Sequence, residues 1–137
     1  MGMSFQEKSL WLMFASLIVV FLAYFGAVLP SSAVDVMPQQ ISLFVMAVLA
    51  LVVLQVVGHI LIALLDRRTD TDERDQLIAL KGSRNAGYML ATGVFTALCT
   101  ALLTHGNFLV THVLLAFWVA AQLVEIGSQL LLYRRGA

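Results

Sequence analysis

A single cysteine, Cys99, stands in this chain of 137 residues, together with two prolines, Pro30 and Pro38. One thiol excludes an internal disulfide and any cysteine-based metal centre, since both require partners of the same kind. Charge is equally scarce: 12% of residues are charged, against about 25% in soluble domains. No glycine-rich phosphate loop is present, which excludes the usual nucleotide sites. No Ser-His-Asp or Cys-His set falls at one depth and no catalytic carboxylates are paired, so no enzymatic activity is expected. The six methionines follow no repeating spacing and read as packing residues, not copper ligands.

What the chain has instead is apolar length, with 61% hydrophobic residues. These gather into four runs at about 9–29, 39–65, 86–104 and 107–132. A helix needs about 20 apolar residues to cross a bilayer core, and each run comes close to that length or exceeds it. The third contains Thr92, Thr96 and Thr100, whose hydroxyls can bond carbonyls of their own helix and are thereby cheap in lipid. The first run starts after Lys8 and is followed by Ser31-Ser32-Ala33, which looks like a cleavage site. Its length exceeds a signal-peptide core, so it is expected to remain as an anchor.

The basic residues are Lys8, Arg67, Arg68, Arg74, Lys81, Arg84, Arg134 and Arg135. Threading four spans back and forth gathers all of them at one end, while the connections 30–38 and 104–107 carry no Lys or Arg. Positive charge near span ends stays cytoplasmic. The expectation is a single transmembrane domain over 1–137, an all-α, up-down four-helix bundle in the inner membrane of a bacterial cell with both termini in the cytoplasm. Its surroundings are the lipid bilayer. The 66–85 segment is about 20 residues long, too short for a soluble catalytic or nucleic-acid-binding domain.

That segment is dense in charges of both signs. Asp70 followed by Glu73 fits a helix capping box, and from Gln76 to Tyr88 the pattern predicts a helix running directly into the third span, with Gly82 and Gly87 as points of bending. Leu77, Leu80, Arg84 and Tyr88 share one face of it. Asp72, Glu73, Arg74, Asp75, Lys81 and Arg84 form a candidate cytoplasmic interaction surface. The alternative is that Arg67, Arg68, Lys81 and Arg84 hold topology and meet anionic lipid while the acidic turn caps the helix.

Asp72-Glu73-Arg74-Asp75-Gln76-Leu77-Ile78-Ala79-Leu80-Lys81-Gly82-Ser83-Arg84 resembles the D-E-R-x-x-x-I-x-x-K/R-x-x-R signature of uncharacterised small prokaryotic four-span membrane proteins. The resemblance covers this segment and the surrounding layout. Members of such groups are often encoded beside small helix-turn-helix regulators, so it implies a membrane-bound modulator with a transcriptional regulator as soluble partner.

Ionisable residues inside spans are costly and point to function. Glu125 lies on the fourth span with Gln122 and Gln129 on one face, and Gln55 and His59 share a face of the second. Counted from the cytoplasmic ends, Glu125 and His59 come at similar depth. A Glu125–His59 contact completed by Gln55 and Gln122 is expected if spans two and four adjoin. Such a cluster is interhelical glue, a proton- or ion-coupled site in an oligomeric transporter, or a lipid or small-ligand site. Gly93, Ala97 and Ala101, and again Ala116 and Ala120, make small-residue stripes that suit packing within the chain or in a homodimer. His105, His112 and Asp35 are expected as surface residues, not a metal site, and no cofactor is expected. The leading function is a regulatory or accessory membrane component acting through its 66–85 segment.

Overall fold

A computed structural model of the chain describes residues 4–65 and 72–135. These form four α-helices: α1 (Phe5–Val28), α2 (Pro38–Leu65), α3 (Glu73–Leu103) and α4 (Phe108–Arg135). Each is long and apolar enough to cross a membrane. Asp66, Arg67, Arg68 and Asp70, expected to halt the second span and to begin the capping box, lie outside the described residues.

The helix ends follow local chemistry. Ser4 caps α1 by accepting the Glu7 amide at 3.1 Å, the arrangement that satisfies an otherwise orphaned N–H. Pro38 occupies the first position of α2, where its missing N–H costs nothing, and the Gln40 side chain accepts the Met37 amide at 3.0 Å. The capping box of α3 is not the one expected from Asp70. It runs from Asp72 to Asp75, two residues later, because two carboxylates three positions apart can satisfy each other's backbone amides. From there α3 continues unbroken through Gly82 and Gly87. The threonines of α3 each donate back to the carbonyl four residues earlier: Thr92 to Tyr88, Thr96 to Thr92, Thr100 to Thr96 and Thr104 to Thr100.

The helices are packed in the order α2–α1–α4–α3, with α1 against α2 and α4, and α4 against α3. Among the described residues α2 and α4 make no close backbone approach, and the expected polar faces of spans two and four do not meet. The core lies between α1 and α4, where Leu17, Phe21, Tyr24 and Val28 interlock with Phe108, Val119, Ile126 and Leu130. In α2 the sole buried residue is Gln40. An all-round apolar helix covered on one side suits lipid as its solvent.

The α3–α4 pair is closer. Ile78, Gly82, Ala86, Gly93 and Ala97 of α3 are buried. A Cβ on Gly82 would stand 2.9 Å from the Glu125 backbone oxygen, and one on Gly93 would overlap Phe117. Gly82 is therefore a contact point, not a bend. Gly93 and Ala97 are consumed by packing within the chain, whereas Ala101 is exposed.

At the end without basic residues the two connections lock together. The Val36 amide donates to Asn107 Oδ1 at 2.8 Å, the Asn107 amide to Asp35 Oδ1 at 3.1 Å, and the Phe108 amide to the Val34 carbonyl at 3.1 Å. Gly106 makes the turn at φ +78°, and a Cβ there would strike the Val34 carbonyl as well. Only glycine meets both demands at low cost.

Candidate functional site

The polar residues gather at the opposite end, in two separate seams. One joins α1 to α2. Gln55 Nε2 donates to Ser16 Oγ at 2.8 Å, His59 Nδ1 lies 2.7 Å from the Gln55 carbonyl, and His59 Nε2 lies 2.5 Å from Ser9 Oγ. A carbonyl oxygen can only accept, so Nδ1 carries a hydrogen. In the neutral ring Nε2 then receives the hydrogen of the Ser9 hydroxyl.

The other seam joins α3 to α4. Ser83 Oγ donates to Glu125 Oε1 at 2.6 Å, and Asn85 Nδ2 to Ser128 Oγ at 3.1 Å. The Gln129 side chain lies against Gly82. Towards the helix ends, the Tyr133 hydroxyl donates to Asp75 Oδ1 at 2.5 Å, and an Arg74 guanidinium nitrogen approaches the Tyr133 carbonyl at 3.5 Å. Arg134 lies over the Trp11 ring, 5.5 Å from its centroid. This contact ties the end of α4 to the start of α1.

The expected cluster is thus divided. Gln55 and His59 turn to α1, while Glu125 and Gln129 turn to α3. The physical reason is the order of the helices: α1 stands between α2 and α4, and each polar face bonds the neighbour it meets. The expected Glu125–His59 contact is replaced by Glu125–Ser83 and His59–Ser9. Depth changes too. Counted along α4 alone Glu125 lies well inside its span, yet its partner is Ser83, adjacent in sequence to Arg84 and two positions from Lys81. The carboxyl group therefore sits at the level of the basic residues, where charge costs far less than at a bilayer centre.

Of the proposed interaction surface, Asp72 and Asp75 are occupied in the capping box, and Asp75 also holds Tyr133. Glu73, Lys81 and Arg84 are exposed on α3, and so are Leu77, Leu80 and Tyr88. Ser9, Ser16, Ser83, Asn85 and Ser128 are the site residues that the sequence did not single out. Hydroxyls and a carboxamide carry no charge, so neither charge nor periodicity gives a signal for them.

His112 is not a surface residue. It is 3% exposed, its Nδ1 lies 2.7 Å from the Phe108 carbonyl and its Nε2 lies 3.1 Å from the Tyr24 hydroxyl. The arrangement repeats that of His59: a helical imidazole donates to the carbonyl one turn earlier and turns Nε2 to a hydroxyl on α1. His105 is exposed, as is Asp35. No group of three His, Cys, Asp or Glu side chains suited to a metal ion is found among the described residues.

Ser9 and His59 together reproduce two parts of a hydrolytic triad, a pairing the sequence did not suggest. The third part differs: Nδ1 meets a backbone carbonyl, and Ser9 is buried between two helices. Compared with models of known families, with curated proteins and with solved structures, the chain finds no match in any of the three.

Proposed function

We propose that this chain is a multi-pass protein of the bacterial inner membrane, threaded up and down with both termini in the cytoplasm. In this reading it has no enzymatic activity, and it works as a regulatory or accessory component through the basic end of α3. The observation that carries the reading is the exposed face of Leu77, Leu80, Lys81, Arg84 and Tyr88. Apolar and cationic side chains alternate there on a helix whose acidic residues Asp72 and Asp75 are engaged elsewhere. Such a face suits a partner that brings acidic groups and an apolar patch. The Asp72–Arg84 segment resembles a signature of uncharacterised small prokaryotic membrane proteins often encoded beside helix-turn-helix regulators, and on that resemblance a soluble regulator is the partner proposed.

The test places a photocrosslinking residue at Leu80 in intact membranes. A crosslink to a soluble regulator that disappears in Lys81→Glu/Arg84→Glu, with membrane insertion unchanged, is the expected result. Crosslinks confined to lipid would refute the docking role. A reporter at Gly136 that proves accessible from outside intact cells would refute the orientation. A single-protomer proton pathway through Glu125 and His59 receives no support from the geometry, since the two residues lie in different seams.

A further inference from the structure

Lys81 and Arg84 stand on one exposed stripe that runs along most of α3. Leu77, Lys81, Arg84 and Tyr88 recur at alternating steps of four and three residues, and Phe95, Leu98 and Leu102 continue the series. Such spacing keeps side chains on one helix face, and all of these are exposed. The other face of α3, with Ile78, Gly82, Ala86, Gly93 and Ala97, is buried against α4. The stripe is therefore turned away from the bundle.

Its depth follows from helix geometry. α3 ends at Leu103, and the run back to Arg84 covers about 30 Å at 1.5 Å per residue, the thickness of a hydrocarbon core. With Phe95, Leu98 and Leu102 in the hydrocarbon, Arg84 emerges at its edge and Lys81 lies one turn beyond, at the level of lipid phosphates. Tyr88 lies one turn inside, where aromatic rings with polar tips collect. Among the described residues no carboxylate pairs with Lys81 or Arg84. Glu125 is bonded to Ser83, and Asp75 to Tyr133. Glu73, the nearest carboxylate on the stripe, is eight positions from Lys81, about 12 Å along the axis.

We propose that an anionic phospholipid, its phosphate held between Lys81 and Arg84, occupies this stripe, and that the soluble partner binds by displacing it. The displacement rests on the docking reading of α3; the lipid site rests only on the helices being membrane spans. Charge complementarity selects the lipid. A phosphoglycerol headgroup brings net negative charge to the two cations, whereas phosphocholine and phosphoethanolamine carry a cation of their own beside the phosphate. A second copy does not suit the stripe. Spans related by a two-fold axis along the membrane normal run parallel, which would set Lys81 and Arg84 against the same residues of the other copy. The acidic groups of a soluble partner need the same two cations, so partner and lipid exclude each other.

The test uses the full chain in lipid nanodiscs, with Trp11→Phe and Trp118→Phe to remove both tryptophans and Tyr88→Trp to place one on the stripe. Brominated phosphoglycerol or phosphocholine lipid is added at equal mole fraction to an unlabelled phosphocholine background, and quenching of that tryptophan is read. The phosphoglycerol lipid is expected to be preferred about fivefold for each cation that holds it. Lys81→Gln/Arg84→Gln should bring the two lipids level with helicity unchanged. Equal quenching before that substitution, or a preference that survives it, overturns the lipid site and leaves the docking reading in place. The displacement is read with the photocrosslinking residue at Leu80, in membranes from cells with ordinary and with lowered phosphoglycerol content. More soluble crosslink at the lowered content is expected, and an equal yield at both overturns the displacement. No soluble crosslink at either refutes the docking reading, and the displacement falls with it while the lipid preference stands.

Discussion

The two helix pairs of this molecule are held by different means. In α3–α4, Gly82 and Gly93 let the backbone and Cβ of one helix reach the other, and buried small residues recur over much of the contact. In α1–α2 the contact is made by side chains: Leu12 lies against Gly58, and Ser9–His59 and Ser16–Gln55 hydrogen bonds join the helices. In lipid no hydrophobic drive separates a contact face from a lipid-facing one, so close packing and hydrogen bonds carry association. The first pair adds close packing to its own Ser83–Glu125, Asn85–Ser128 and Asp75–Tyr133 hydrogen bonds, whereas the second has two such bonds and less intimate packing. α3–α4 is thus expected to be the stiffer unit, and α2 the helix most easily displaced.

The sharpest way to break this contrast is to overfill the closer pair. Gly93→Leu forces a side chain into Phe117 and should cost about 1–3 kcal/mol, the range for overpacked sites, read as a lower midpoint of unfolding in detergent. Gly82→Val belongs with it, because the atom in the way includes the Glu125 backbone oxygen, which cannot swing aside. If both variants unfold like the parent protein, close approach is not what holds α3 to α4.

A smaller effect is expected for the hydrogen-bonded pair. A double-mutant cycle of Ser9→Ala and His59→Ala should return a coupling of about 0.6 kcal/mol, and at most about 1.7 kcal/mol. A coupling near zero would mean that the contact contributes nothing to holding α2. Gly58→Ala sharpens the same comparison. Its new Cβ meets the flexible tip of Leu12 and not backbone, so the loss should be well below that of Gly93→Leu when both are measured under one condition.

The smallest effect concerns α3 alone. Joint replacement of Thr92, Thr96 and Thr100 by Ala should shift stability by no more than a few tenths of a kcal/mol. Each hydroxyl is satisfied within its own helix, and such back-bonding is mildly unfavourable to the helix. A loss above about 1 kcal/mol would show that these hydroxyls bond a partner across an interface.

Much of the helical layout was legible along the chain. The apolar runs located four helices because span length is set by local composition, and the amphipathic 76–88 stretch did merge with the third. The internal bonding of Thr92, Thr96 and Thr100 was also legible, being a property of one helix. Partner choice was not. Gln55, His59 and Glu125 were visible as costly residues, but matching their depths by counting along separate helices joined α2 to α4, which α1 keeps apart. His112 was expected at the surface because it follows the hairpin closely, and its burial depends on Tyr24 arriving from another helix. The capping box was misplaced by two residues because Asp70, Asp72, Glu73 and Asp75 all suit a helix start.

Composition and periodicity by themselves determined that this chain builds four long apolar helices and that its 30–38 and 104–107 connections carry no basic residue. Tertiary structure alone decided the order α2–α1–α4–α3, the division of the polar residues into two seams, and the placing of Glu125 beside Ser83. The reason lies in the range of the forces. Helix formation and apolar length are properties of neighbouring residues, whereas which hydroxyl meets which carboxyl group or imidazole depends on faces brought together from distant parts of the chain. On helices apolar nearly all round, no gradient of hydrophobicity marks those faces beforehand.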